Sequence, residues 1–219
     1  QDLLITAPME AAPLVRRLAH HAYKAGAGLV TPFYTDPEIT LARYQHAAPE
    51  SFDKTTDWLF EGMAAAFDKN TARLAVVGED PMLLSGQNSE YVGRANQAMS
   101  KASSPLRERI TRFDINWNII AWPGLQWAKL VFPQMSDADA QIALAEAIFN
   151  ASRVNTSDPN EAWAVHNKNL RARTEWLNKK NFAALHFYGE GTDLTVGLAD
   201  GHEWMGGAST ARNGVTCNP

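Results

Sequence analysis

Short apolar runs alternate along this chain with longer stretches whose apolar positions recur every three or four residues. The two periods predict strands and helices in turn. Leu3–Ala7 is a first strand, and the stretch from Pro8 to about Ala25 is a helix with Leu14, Leu18, Ala22 and Ala25 on one stripe, ended by Gly26. Gly28–Tyr34 is a second strand. Asp36-Pro37-Glu38 opens the next helix: Asp caps free amides, Pro fits the first helical position, and Glu suits the positive end. Ser51–Asp68 is expected to be helical through Phe52, Leu59, Met63 and Phe67. Leu74–Val77 is a third strand closed by Gly78, after which Asp80-Pro81 repeats the capping device.

The second half continues the alternation. A long polar helix is expected over Ser89–Phe113, interrupted near Ser103-Ser104-Pro105, and Ile115–Ala121 is a fourth strand stopped by Pro123. Ser136–Asn150 is an alanine-rich helix with Ser136 and Asp139 placed as a capping box. Asp158-Pro159-Asn160-Glu161 starts a helix to about Lys180, and Leu185–Tyr188 and Leu194–Gly197 are strands joined by a glycine turn. Strands separated by helices imply parallel pairing. The expected fold is therefore α/β: a layered domain with a mainly parallel sheet flanked by helices and a C-terminal strand hairpin, occupying residues 1–219 as a single domain.

Composition narrows the function classes. With 219 residues, 45% hydrophobic and 20% charged, the chain is globular and large enough for a substantial core. A formal net charge of −4 provides no basic footprint for nucleic acid or an anionic membrane, and no apolar run is long enough to span a bilayer. The single Cys217 cannot form an internal disulfide, which favours a reducing, cytoplasmic setting. It also makes the sequons at Asn150 and Asn155 coincidental. The chain opens at Gln1-Asp2 directly on an apolar strand and stops at Thr216-Cys217-Asn218-Pro219, so a fragment of a longer protein is expected.

Several chemistries lack their residues. Gly189-Glu190-Gly191 begins like a dinucleotide fingerprint, but the third glycine position is Leu194 and a strand follows where a helix should start. No Gly-Lys pair for a phosphate loop and no Gly-x-Ser-x-Gly elbow is present. Cys217, in the expected frayed end, is a poor nucleophile. His202-Glu203 begins a His-Glu-x-x-His zinc motif, yet the second His position is Gly206. His20, His21, His46, His166 and His186 lack ligand spacing. No catalytic residue and no metal ligand is therefore assigned.

What remains are surfaces. Trp117, Trp122 and Trp127 cluster around one strand end and the following turn, as core packing or as the wall of a substrate cleft or contact. The segment 191–209, "GTDLTVGLADGHEWMGGAS", adds His202, Glu203 and Trp204 beyond a turn at Ala199–His202. Its Gly206-Gly207 suits a close backbone approach, for which a missing domain is the expected neighbour. Ligands of α/β sheets sit at the carboxyl ends of the strands, here near Tyr34-Thr35-Asp36, Gly78-Glu79-Asp80 and Trp122-Pro123-Gly124.

Four stretches in this order carry a family resemblance: "LLITAPMEAAPLVRRLAHHAYKAGAGLV" (3–30), "YTDPEITLARYQHAAPESF" (34–52), "WNIIAWPGLQWAKLVFP" (117–133) and "LHFYGEGTDLTVGLADGHEWMGG" (185–207). They resemble the N-terminal part of the aminopeptidase T / aminopeptidase S / PepS family of thermophilic-type dinuclear metallopeptidases. "PGLQWA" departs from the commoner Pro-Thr-Pro-like form. The resemblance implies a cytoplasmic, homodimeric exopeptidase that removes N-terminal residues from peptides with two divalent ions, zinc or cobalt. It also implies that the metal ligands lie in a C-terminal domain beyond residue 219, so that this chain binds no metal, is inactive alone, and meets peptide only through that domain. Trp122, Trp127, His202, Glu203 and Trp204 are then the candidates for the substrate cleft or domain interface. The competing expectations are a small-ligand-binding α/β module, and a dimerisation or shielding domain without catalysis.

Overall fold

A computed structural model of the chain describes residues 1–218. Four strands, β1 (Leu3–Pro8), β2 (Val30–Thr35), β3 (Ala72–Val77) and β4 (Trp117–Ala121), form one sheet in the order β2-β1-β3-β4, and every pairing is parallel. The connections carry α1 (Ala12–Lys24), α2 (Pro37–His46), α3 (Asp57–Asp68), α4 (Ser89–Ala102) and α5 (Ser104–Thr111). After β4 come α6 (Leu125–Val131), α7 (Asp137–Ala151) and α8 (Pro159–Lys180). The antiparallel ribbon β5 (Ala184–Gly189) and β6 (Thr192–Gly197) follows, and then the short pair β7 (Ser209–Thr210) and β8 (Thr216–Cys217). The α/β expectation, parallel sheet and hairpin included, is the observed fold.

The chain divides into two compact units, Gln1–Ala151 with the segment from Thr210 onward, and Ser152–Ser209. In the first unit the core forms around β1, an interior strand covered on both faces. That is why "LLITAP" is apolar almost throughout rather than alternating: Leu4, Ile5, Ala7 and Pro8 are all buried. On one face Ile5, Ala7 and Val76 meet Ala11 and Val15, with Leu14 and Leu18 of α1 packed alongside. Of the expected row, Leu14 and Leu18 pack on this core, while its buried centre is Ala11 and Val15, and Ala25 is exposed. In α3 Met63, Ala64 and Phe67 are buried, and the helix lines a cavity together with Leu4 of β1 and Phe33 of β2. Farther along, α6 and α7 share a small core of Ala128, Ala140 and Leu144.

The expected caps are present. Asp36 accepts the Glu38 amide at 2.8 Å, and Asp158 accepts those of Asn160 and Glu161 at 2.9 and 3.0 Å. Ser136 accepts the Asp139 amide and donates to its carboxylate at 2.6 Å. Four local expectations are corrected. The helix over 51–68 breaks: Phe52 lies in a 3-10 turn, Pro49–Asp53, and α3 starts only at Asp57. The reason is that Phe52 is fully buried between the Tyr44 and Tyr91 rings, at 5.1 and 4.7 Å. Asp80 does accept the Met82 amide, but turns rather than a helix follow it. The short α6 was not expected. Cys217 is not frayed: it is a half-buried free thiol in β8. The segment leading to it is anchored by Arg212 N–H on the Phe113 carbonyl and by the Asn213 amide on Asn70 and Asn116.

Candidate functional site

The strand order places a topological switch point between β1 and β3, because β2 lies on one side of β1 and β3 on the other. Open α/β sheets offer a crevice for ligands at such a point, beyond the strand carboxyl ends. Two acidic side chains stand there, Glu10 just after β1 and Glu79 just after β3. Crowding around the Glu10 carboxyl raises its pKa above the usual carboxylate range. The like charge of Glu79 raises it further, while a bond from the Leu125 backbone N–H works the other way. Glu79 turns back to accept the Gly78 amide at 3.1 Å.

Glycine is required at this edge. Gly78 has φ +153°, and a Cβ there would run into the Trp122 carbonyl. A Cβ on Gly124 would strike the Gly78 carbonyl and come within 2.7 Å of a Glu10 carboxylate oxygen. The Trp122 amide donates to Val77 O at 2.7 Å and the Gly124 amide to Trp122 O at 2.8 Å, so the ends of β3 and β4 are drawn together. Trp122 packs on the β1 core, and its indole N–H is buried without an acceptor; Trp127 packs on the α6–α7 core. A separate, mostly apolar cavity of about 310 Å³ opens elsewhere in the same unit, lined by Leu4, Phe33, Trp58, Leu59, Met63 and Ala66 among others.

The second unit carries the other three candidates. His202 closes its turn with an amide bond to Ala199 O at 3.2 Å and a ring Nδ1 contact to the same carbonyl at 2.9 Å. That carbonyl can only accept, so Nδ1 is the donor in this contact. Trp204 lies edge-on to the His202 ring at 6.0 Å, and Glu203 is exposed. Trp204 is fastened to α8 by Asn178, whose amide donates to Trp204 O at 3.0 Å and whose carbonyl accepts Trp204 N–H at 2.7 Å. Gly206 faces Thr174 and Leu170, Gly207 faces Asn167, and the Ala208 amide bonds Asn167 Oδ1. Residues 167, 170, 174 and 178 lie three or four apart on one stripe of α8. The close approach that Gly206-Gly207 allows is therefore to α8, which corrects the expectation of a missing domain there.

The structure thus brings Trp122 together with Gly78, Gly124 and the carboxylate pair, and His202 together with Trp204. Sequence reading missed Glu10, because nothing in one sequence shows that β1 lies beside β3. It also missed the His186 Nε2–Asp193 Oδ1 pair at 2.7 Å, since β6 begins at Thr192 and not at Leu194. Among the described residues no three His, Cys, Asp or Glu side chains gather where they could hold a metal ion.

Comparison with known proteins adds the family. The family model described as thermophilic metalloprotease (M29) matches residues 1–219. The chain belongs to this family. It is 47% identical over 219 residues to aminopeptidase T of Thermus thermophilus, covering 100% of this chain and 54% of that protein. It is 34% identical over 214 residues to aminopeptidase AmpS of Bacillus subtilis, covering 98% and 52%. The solved structure of wild-type AmpT from Thermus thermophilus superposes with a TM-score of 0.92 at 46% identity, covering 100% of this chain and 54% of that one. The chain thus spans about half the length of the curated relatives it matches. Among the described residues of this M29 member there are a parallel sheet and a ribbon but no cluster of metal-ligating side chains.

Proposed function

We propose that this chain is the N-terminal half of a metal-dependent aminopeptidase that releases N-terminal amino acids from peptides, and that this half is inactive by itself. The observation that carries the reading is the family match over residues 1–219, together with 47% identity to an aminopeptidase of which the chain covers about half. The chemistry needs a metal-held water and carbonyl polarisation. The described residues do not fit that task, so no catalytic step is assigned to them. In this reading the two divalent ions, zinc or cobalt, are held by the other half. This half frames the cavity, and the candidates for the substrate cleft or the domain interface are Trp122 and Trp127 in the first unit and, separately, His202, Glu203 and Trp204 in the second. A homodimer and a cytoplasmic setting complete the reading, supported by the family resemblance and, for the setting, by the lone cysteine.

Zinc- or cobalt-supplemented chain, assayed on an aminoacyl-anilide, is expected to show no turnover, whereas the full-length polypeptide turns over and loses activity to a chelator. Turnover by the 219-residue chain at the full-length rate would sink the proposal. A second reading is favoured by one observation, the Glu10–Glu79 pair at the switch point: a module binding a small cationic ligand such as an amino acid ester. In a thermal-shift screen, stabilisation by an amino acid ester that Glu10→Gln abolishes would favour it.

A further inference from the structure

The second unit has no core. From residue 152 to 209 none is buried, although the stretch holds a 22-residue helix and a two-stranded ribbon. An isolated two-stranded ribbon is marginal in water, and a unit of this size depends on burying apolar area. Yet the β5–β6 ribbon is patterned for burial. Its register pairs Leu185 with Val196 and Phe187 with Leu194 on one face, and His186 with Thr195 and Tyr188 with Asp193 on the other. The first face is apolar apart from Thr192 beside the turn, with Phe187 49%, Leu194 52% and Val196 40% exposed. The second is polar and closes on itself through the His186–Asp193 bond, leaving Tyr188 84% exposed. Four apolar side chains on one face of a ribbon form the kind of surface that marks an interaction site.

We infer that the Leu185–Phe187–Leu194–Val196 face is the seat on which the other half of the polypeptide docks. This inference rests on the reading of the chain as one half of an aminopeptidase. Two further observations select that occupant. The chain accounts for only 54% of the Thermus thermophilus relative. The whole chain superposes, with a TM-score of 0.92, on a solved chain that has nearly half its length elsewhere. On the half-molecule reading, a ribbon with no core of its own draws its stability from polypeptide outside residues 1–219.

The test compares amide hydrogen exchange in the 219-residue chain and in the full-length polypeptide. Protection of β5 and β6 amides is expected to be at least about tenfold higher in the full-length molecule. Phe187→Glu combined with Leu194→Lys, an opposite-charge cross-strand pair that keeps the ribbon's own pairing, should abolish that gain while leaving exchange in the 219-residue chain unchanged, because there the face already meets water. The control pair Tyr188→Lys and Thr195→Glu, on the polar face opposite Asp193 and His186, should leave the gain intact. Equal protection in both molecules overturns the inference. So does protection in the 219-residue chain that rises with protein concentration, which would assign the face to a second copy. Peptidase activity of the full-length wild type is measured separately: its absence would defeat the aminopeptidase reading without altering the exchange comparison.

Discussion

β1 and the β5–β6 ribbon are built from similar residues and end in opposite environments. "LLITAP" lies between two parallel neighbours with helices on its faces, and four of its six residues are buried. "ALHFYG" and "TDLTVG" pair only with each other, and not one of their residues is buried. Strand-forming composition is common to both; layers on either side are not. Apolar patterning specifies which face wants cover, while the chain topology decides whether cover is supplied from within.

The largest effect expected from that contrast is at Phe52, fully buried and stacked between Tyr44 and Tyr91. Phe52→Ala should cost about 3–5 kcal/mol in urea unfolding followed by near-ultraviolet signal. Leu194→Ala, in contrast, should stay within about 0.5 kcal/mol in the same chain. Equal costs would break the contrast. Two glycines sharpen it next. Gly78 and Gly201 both have positive φ, +153° and +73°, but only Gly78 meets backbone where a Cβ would stand. Gly78→Ala should exceed the roughly 1–3 kcal/mol of conformational strain alone, and Gly201→Ala should not.

Smaller effects follow. Removing the α8 cap with Asp158→Ala should cost about 1 kcal/mol of local stability, read as faster exchange of the first-turn amides. The pH prediction concerns Glu10. Its folded pKa is raised, so between the unfolded value and that raised value the folded state binds more protons than the unfolded one. Stability therefore falls as pH rises through this window. Glu10→Gln should flatten that part of a melting-temperature profile and raise stability at neutral pH, while an unchanged profile would show that the carboxyl is not crowded. The smallest effect is at Arg94, whose fork holds Asp53 at 2.8 and 2.6 Å on the surface. Double-mutant cycles there should return little or no coupling, because water and salt screen an exposed pair.

Much of the fold was legible because its signals are local. The Asp-Pro starts at 36 and 158, the glycine after β3 and the apolar run of β1 each specify an element without reference to the rest of the chain. The failures were tertiary. Phe52 reads as one more helical apolar residue until Tyr44 and Tyr91 are seen to enclose it. The helix signal after Asp80 is overridden although the cap itself forms. For the candidate site, Trp122 and the His202–Trp204 stretch could be named from residue type, but Glu10 could not. Its role depends on strand order, which one sequence does not reveal. Gly206-Gly207 announced a close approach and left the neighbour unnamed; the stripe at Asn167, Leu170, Thr174 and Asn178 supplies it.

The central claim is that stability in this chain resides in the sheet unit and that the ribbon unit has no core of its own. Native-state hydrogen exchange of the 219-residue chain tests it most directly. Amides of β1 and β3 should exchange only through global unfolding, and those of β5 and β6 at least about a hundredfold faster through local opening. Ribbon amides as protected as those of β1 would contradict it.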